Sequence, residues 1–481
     1  MLSGKTILIC GANGKSGRAA AELVLSLGAR VVLSDAKPAM GAPPAGAPEM
    51  LEDFRGRPEA ELIDEVDPQM VLTAPGVPLS GEVFERARNK NIPIHGESDF
   101  AAGILAGKER PPFLIGITGT DGKSTTTALL AHLISNATRL TAVPCGNYGL
   151  PLSTLALNWE RESADVLVVE CSSFQLEPTR DFHPAIAMVL NLARDHLDRY
   201  PDMSAYLRAK LRIAENQTPD DLFLAPDSIL SAMHRLPEMV SLKPRVRVPD
   251  PAEAEGGAIS FRGEPLDLAD FPPAGLHNRL NLLFALTALE DLLERRSGAG
   301  AGEPEDAANT DAYLGRDALT NALRTFHGLP HRLEHVARLD GIEYVNDSKA
   351  TTVQAMLTAI KAYRTDSDCR VYLLCGGRDK DGDFSILPFG DDSIRFLPFG
   401  EAGPKIARAG SAAGTEPTVL SDLKIAFKAA RESAELDGKT DSRKAVVLLS
   451  PGCASFDAYG SYEKRGEHFK ELVGEIRESP S

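Results

Sequence analysis

The stretch Phe113-Leu114-Ile115-Gly116-Ile117-Thr118-Gly119-Thr120-Asp121-Gly122-Lys123-Ser124-Thr125-Thr126 decides the fold. Phe113–Ile117 is an apolar run that reads as a strand. A glycine-rich turn follows, and Ala128–Ile134 then reads as helical. Strand, glycine turn, Gly-Lys-Ser and helix form the arrangement of a phosphate-binding loop. Its glycines let backbone N–H groups reach phosphate oxygens, and the helix N-terminus adds positive partial charge. In such a loop Lys123 pairs with the β- and γ-phosphates and Ser124 holds Mg²⁺. Gly119, Thr120, Asp121, Gly122 and Thr125 complete the nucleotide-binding set. The strict spacing fails by one place, because Ile117 stands where the first glycine would be. A plain glycine-rich turn is the bland alternative, and the flanking strand and helix argue against it.

Working outward, a phosphate loop needs a second carboxylate for metal. Val166–Val169 is an apolar strand running into Glu170, which places that acid at the carboxyl edge of the sheet. Another strand, Ile186–Leu190, runs into Asn191-Leu192-Ala193-Arg194-Asp195-His196-Leu197-Asp198. A lone histidine after a strand is usually structural. His196 stands in a polar cluster beside a phosphate loop, which favours a metal or catalytic role.

Short apolar runs alternate with helical stretches along the whole chain, the pattern of α/β architecture with mainly parallel sheets. Thr6–Cys10 is followed by Gly11-Ala12-Asn13-Gly14-Lys15-Ser16-Gly17, and the strand Val31–Ser34 ends in Asp35. This is a Rossmann-like beginning. Its glycine spacing is not that of an NAD fingerprint, so NAD, a nucleotide sugar and a structural turn all remain open. Met70–Thr73 is a further strand. Near the other end, Asn346–Thr351 follows strand Ile342–Val345, Gly376–Lys380 follows Val371–Leu374, and Ser450–Asp457 follows Ala445–Leu449. All three loops fall where open α/β sheets bind ligands. Their lysines and hydroxyls favour an anion such as an acidic amino acid. Pro38–Pro48 and Ser297–Asn309 read as loops or insertions.

At about 150 residues per domain, 481 residues suggest three domains. Boundaries are expected near residue 103, where Ala101–Pro112 reads as a connector, and near Gly328. The formal charge is −16. It divides as −4 for 1–103, −9 for 104–328 and −3 for 329–481. So acidic a chain is a poor partner for nucleic acid or an anionic membrane. The six cysteines form no Cys-x-x-Cys pair and read as buried thiols of a reducing compartment. No signal-peptide core is present, and no apolar run approaches the roughly 20 residues of a membrane span. A soluble cytoplasmic protein is the default expectation, and it is expected to be a monomer.

The motifs resemble the Mur ligases over nearly the whole chain. The resemblance rests on Gly116–Thr126, GNYG at Gly146–Gly149, ECSSFQLE at Glu170–Glu177, ARDHLDRY at Ala193–Tyr200 and HNRLN at His277–Asn281. GLPHRLE at Gly328–Glu334, NDSKAT at Asn346–Thr351 and Ser450–Gly466 narrow it to the D-glutamate-adding branch. The resemblance implies three α/β domains. They are a Rossmann-like domain for the UDP substrate (1–103), a central P-loop ATPase-type domain (104–328) and a Rossmann-like amino-acid domain (329–481). It implies ATP-dependent joining of D-glutamate to UDP-MurNAc-L-alanine through an acyl phosphate, with two Mg²⁺ ions. Lys123, His196 and Lys210 would be catalytic, and Ser124, Glu170, His196 and a carbamylated Lys210 would serve the metals. Asn278, Asn281, Arg332 and Asp347 would grip ATP. Gly14, Lys15, Ser16, Asp35, Gly76, Asn147, Ser172 and Gln175 would take the UDP substrate. Lys349, Thr351, Lys380, Ser455, Phe456 and Tyr462 would take D-glutamate.

Some positions depart from the family pattern. Asp121 stands where Asn is frequent, and Ala36 where a hydroxyl is common. Cys171 and Gly452 are unusual. Three alternatives follow from the same residues: a sister ligase adding another amino acid, a nucleotide-binding regulator without ligation, and an NAD-dependent oxidoreductase. Intact Lys123, Glu170, His196 and Lys210 argue against the regulator. The absent NAD fingerprint and the separate phosphate loop argue against the oxidoreductase.

Overall fold

The computed structural model describes residues 2–40, 42–44, 48–197, 199–236, 243–273, 275–298, 312–364, 369–379 and 382–478. Three large sheets organise them. The first contains β1 (Thr6–Cys10), β2 (Arg30–Ser34), β3 (Leu51–Asp53), β4 (Met70–Thr73) and β5 (Ile94–Gly96). Its order is β3-β2-β1-β4-β5, all parallel. The second contains β6 (Phe113–Thr118), β7 (Ala142–Gly146), β8 (Val166–Glu170), β9 (Ile186–Val189), β10 (Leu222–Leu224) and β11 (Arg245–Arg247). Its order is β11-β10-β9-β6-β8-β7, again all parallel. A two-stranded sheet of β12 (Ala258–Phe261) and β13 (Glu264–Asp267) follows. The last sheet contains β14 (Glu334–Leu339), β15 (Ile342–Asn346), β16 (Cys369–Gly376), β17 (Ile394–Phe399) and β18 (Lys444–Leu449). Its order is β14-β15-β18-β16-β17, and only the edge strand β14 runs antiparallel.

Continuous apolar runs such as Val166–Val169 are wholly buried, as strands covered on both faces must be. In the first two sheets the chain reverses direction of winding at β1 and β6. The crevice at the carboxyl ends of such strands is where open α/β sheets take ligands. Both strands run straight into the glycine turns singled out above.

The chain forms two compact units, Met1–Leu266 with Leu280–Ala322, and Asp267–Arg279 with Leu323–Ser481. The first unit therefore holds both of the first two sheets. One apolar cluster runs through it, from Ile7, Ile9 and Leu33 by way of Val24, Ala101 and Leu105 to Leu155, Trp159 and Val169. The reading of Ala101–Pro112 as a connector needs correction at its start. Ala101–Ala106 is the second half of a helix, Glu97–Ala106, and its Ala101, Ala102 and Leu105 are buried. A segment that carries core contacts cannot behave as a free linker. In the second unit, apolar clusters cover the two faces of the sheet, one built on Val345, Leu373 and Leu448, the other on Tyr344, Leu374 and Val447.

Of Ser297–Asn309, Ser297 lies near the end of the helix Leu276–Gly298, and residues 299–309 lie outside the described residues. Pro38–Pro48 contains no strand or α-helix among its described residues. All six cysteines are buried and free. Among the described residues no helix is long and apolar enough to cross a membrane.

Candidate functional site

The phosphate loop joins β6 to the helix Lys123–Ala137. Gly122 has φ +80°, and a Cβ there would lie 2.4 Å from Asn281 Oδ1. Only glycine fits, and its absence of a side chain lets Asn281 approach the loop. Asn191, just beyond β9, braces the loop from the other side. Its Oδ1 accepts from Thr120 N at 3.0 Å and Asp121 N at 2.9 Å, and its Nδ2 donates to the Asp121 carbonyl at 3.0 Å. Ser124 and Thr125, in the first helical turn, are both buried.

Two lysines converge on one carbonyl. Lys123 Nζ donates to Gly119 O at 3.0 Å and Thr120 O at 2.7 Å. Lys210 Nζ reaches Gly119 O at 2.7 Å from the helix Met203–Leu211. The Lys210 side chain is buried, with its nitrogen 4.4 Å from the centre of the Tyr206 ring. Burial, and then the neighbouring Lys123 charge, push the Lys210 pKa down to about 7. The lowered pKa brings the uncharged, nucleophilic form of its amine within reach of neutral pH.

Glu170 ends β8 directly beside Ile117 of β6. It is buried. Its Oε1 accepts from Asn147 Nδ2 at 2.6 Å, while Oε2 has no hydrogen-bond partner. A buried carboxylate oxygen without a donor is costly unless a cation completes it. The donor set of this oxygen and the Ser124 hydroxyl suits a hard divalent cation such as Mg²⁺. His196 has φ +53° and half-exposed side-chain atoms, with Nε2 3.4 Å from Asp195 Oδ2. Its ring packs 4.8 Å from Phe174 and 5.9 Å from Tyr206. Tyr206 thus touches Lys210 and His196, and its hydroxyl lies 3.4 Å from Thr120 Oγ1.

Ser172 caps the short helix Ser173–Leu176 in a reciprocal capping box with Gln175. At the first sheet, Gly14 caps the helix Lys15–Ser26, so Lys15 and Ser16 occupy its first turn. Lys15 Nζ donates to Gly149 O at 2.7 Å. Asp35 accepts from Asn13 N and Lys37 N, both at 3.0 Å. Gly76 lies in the turn after β4. These positions all fall at the carboxyl edge of that sheet.

In the second unit, Asp347 is buried after β15, accepting from Ser450 Oγ at 2.8 Å and Leu333 N at 3.2 Å. Burial raises its pKa to about 7, against the pull of those donors and Arg332. Lys349 lies with Nζ 6.0 Å from the Tyr462 ring centre, and Ser348 Oγ donates to Tyr462 O at 2.8 Å. Gly452 N donates to Ala350 O, which brings the loop carrying Ser455 and Phe456 against that carrying Lys349 and Thr351. Ser455 is buried and Phe456 exposed. Lys380 lies outside the described residues. Asn278 is buried, one turn before Asn281 on the same helix.

Sequence reasoning missed the residues that hold these groups in place. Asn13, with Arg55 donating to its Oδ1 at 3.1 Å, Asn191 and Tyr206 belong to this set. So does Arg465, whose guanidinium is fully buried and bonds both ligand-edge loops of the second unit. Asn191 alone had a signal, standing first after an apolar strand.

A phosphate loop at the switch point of a parallel sheet, with a buried carboxylate on the adjacent strand, defines an α/β nucleotide-binding protein of the P-loop class. Residues 117–243 match the Mur ligase middle domain. A UDP-N-acetylmuramoylalanine--D-glutamate ligase from Anaeromyxobacter dehalogenans is 38% identical over 98% of both chains. The Myxococcus xanthus protein of the same name is 36% identical, also over 98% of both. UDP-N-acetylmuramate-alanine ligase from Thermotoga maritima has a similar fold. Its TM-score is 0.50 at 18% identity, with 98% of this chain and 99% of that chain covered. The chain belongs to the Mur ligase family, among the UDP-N-acetylmuramoylalanine--D-glutamate ligases.

Proposed function

We propose that this chain joins D-glutamate to UDP-N-acetylmuramoyl-L-alanine at the expense of ATP, in cytoplasmic peptidoglycan precursor synthesis, and acts as a monomer. The observation that carries the mechanism is the convergence of Lys123, Lys210 and the phosphate loop on Gly119, with the unpartnered Glu170 oxygen at the end of the adjacent strand. The alanyl carboxylate attacks the γ-phosphorus, the bond to the bridging oxygen breaks, and ADP leaves. The amine of D-glutamate then attacks the acyl-phosphate carbonyl, and inorganic phosphate departs as the amide forms. Both partners of the first step are anions, so the site must supply positive potential. Lys123 and the N–H groups of Gly119, Gly122, Ser124 and Thr125 provide it, Thr120 and Asp121 shape the loop through their N–H bonds to Asn191, and Asn278, Asn281, Arg332 and Asp347 complete the ATP contacts.

Ser124 and Glu170 would hold the first of two Mg²⁺ ions, and His196 and Lys210 would serve the second. Bound Mg²⁺ neutralises phosphate charge. The neutral fraction of Lys210 supports its carbamylation, in which the amine adds to CO₂, a proton leaves, and an anionic carbamate remains. Gly14, Lys15, Ser16, Asp35 and Gly76 take the UDP end of the substrate, within a domain at 1–103. Asn147, Ser172 and Gln175 take its muramoyl-alanine end, within the ATP-binding domain at 104–328. Lys349, Thr351, Lys380, Ser455, Phe456 and Tyr462 take D-glutamate, within 329–481. Lysine and hydroxyl donors suit a ligand with two carboxylates.

Phosphate release with UDP-N-acetylmuramoyl-L-alanine against a panel of amino acids tests the reading. D-Glutamate should be turned over far faster than L-glutamate or L-lysine. Equal or better turnover of either would overturn the assignment.

A further inference from the structure

Glu97, Ser98 and Asp99 form an acidic run that is entirely buried at the start of the helix Glu97–Ala106. Gly96 makes this possible, since a Cβ there would lie 2.8 Å from Pro178 Cγ. The strand end can therefore press against the segment carrying Ser172 and Gln175. A chain of hydrogen bonds crosses that contact. Glu97 Oε1 accepts from Ser153 N at 2.7 Å, and Glu97 Oε2 accepts from Ser98 Oγ at 2.8 Å. Ser98 Oγ in turn accepts from Gln175 Nε2 at 3.1 Å. Gln175 Oε1 accepts from Ser172 N at 2.9 Å and from Ser172 Oγ at 3.0 Å.

The direction of every bond in this chain follows from its first member. Burial raises the Glu97 pKa, against the pull of the Ser153 N–H and the Ser98 hydroxyl; as a carboxylate Glu97 only accepts, so the single Ser98 proton is committed to it. Ser98 can then only accept from its other neighbour, which must present an N–H. That fixes which way round the Gln175 amide sits, with its oxygen toward Ser172. The Ser172 hydroxyl must donate to that oxygen, and its lone pairs receive Gln175 N at 3.2 Å. Reversing the first bond would reverse the rest and set an amide N–H against the Ser172 N–H. Such low-dielectric networks are sensitive to a single wrong polarity.

We infer that Glu97 is a positioning residue for the UDP-substrate edge of the site. It sets the polarity of the relay Ser98–Gln175–Ser172 and so orients the Ser172 hydroxyl. The inference rests on the placement of Ser172 and Gln175 against UDP-N-acetylmuramoyl-L-alanine proposed above.

The test measures KM for each substrate and the calorimetric Kd of UDP-N-acetylmuramoyl-L-alanine in the full-length enzyme. Gln175→Ala should weaken that substrate about tenfold, the size of one lost hydrogen bond. Glu97→Gln, which can donate to Ser98 and reverse it, and Ser98→Ala should each weaken it about fivefold. KM for ATP and D-glutamate should move less than about twofold, and Ser98→Thr should restore wild-type values, because it keeps the hydroxyl. Glu97→Gln combined with Gln175→Ala should be no weaker than Gln175→Ala alone. Ser98→Ala carries the test should Glu97→Gln not fold. Unchanged affinity in Glu97→Gln and Ser98→Ala beside a weakened Gln175→Ala overturns the relay and leaves the substrate site standing. Additive losses in the double variant overturn the relay equally. Unchanged affinity in Gln175→Ala overturns the placement of Gln175 itself, and the relay's role with it.

Discussion

Arg465 offers a perturbation whose size can be worked from geometry. The residue lies in the helix Tyr462–Glu478 and has no exposed surface. Its Nε donates to Ser348 Oγ at 3.0 Å, and its terminal nitrogens donate to Ser348 O at 2.9 Å, Cys453 O at 3.1 Å and Ala454 O at 3.2 Å. It therefore ties the loop of Lys349 and Thr351 to the loop of Ser455 and Phe456. Burial lowers its pKa to about 10, so it still carries its charge at neutral pH. Arg465→Met removes all four hydrogen bonds while keeping most of the volume. At ~1.5 kcal/mol for each bond from a charged donor, the loss is about 6 kcal/mol, and relief of the buried charge offsets roughly half. A net destabilisation of about 3 kcal/mol is expected, a large part of a typical folding free energy. Arg465→Lys should lose less, because an ammonium keeps some of the bonds. Urea unfolding gives the stability change, and hydrogen exchange at 346–352 and 450–457 localises it. KM for D-glutamate should rise while KM for UDP-N-acetylmuramoyl-L-alanine holds. A loss below about 1 kcal/mol with an unchanged D-glutamate KM would refute the clamp.

Lys123→Ala should abolish phosphate release with little change in circular dichroism or melting temperature, and wild-type-like turnover would sink the phosphate role. Lys210→Ala should also be inactive, with recovery by short carboxylic acids. In the wild type, ¹³C-bicarbonate should give a carbamate signal that grows between pH 6 and pH 8, as the Lys210 amine with a pKa near 7 loses its proton. A signal that persists in Lys210→Ala would place the carbamate elsewhere. Asp99 Oδ1 accepts from the backbone N–H groups of Arg180, Asp181 and Phe182 at 2.7–2.8 Å, and Oδ2 bonds His95. These donors hold its pKa below the unfolded value despite burial. The carboxylate thus stabilises the fold above about pH 4, and the contribution is lost as pH falls through the lower folded value. Urea midpoints at pH 6 and pH 3 should differ less in Asp99→Asn than in the wild type; equal differences would show that Asp99 contributes nothing to acid stability.

The loops of the candidate site were legible because parallel strands buried on both faces are near-continuous apolar runs, and their carboxyl ends can be read off one by one. Glu170, Asp347 and the turn at Gly119–Gly122 emerge that way. What escaped reading was burial that only tertiary packing decides. Lys210 reads as a solvated lysine on a helix, yet Tyr206 from the preceding turn and Gly119 from the loop enclose it. Arg465 sits in a helix rich in Glu and Lys, and no periodicity marks it as the one that turns inward. The run Glu97-Ser98-Asp99 looks like an ordinary exposed helix start. It is instead where the first sheet's segment joins the second, which is also why Ala101–Ala106 is core and not linker. The net charge of −16 is misleading for the same reason. Glu97, Asp99 and Glu170 are acids spent inside the fold, on backbone N–H groups or an orphaned oxygen suited to a cation. Lys123 is a cation held against the loop carbonyls of Gly119 and Thr120. An anionic ligand responds to that local arrangement, because the interior screens its own charges far less than water screens the surface.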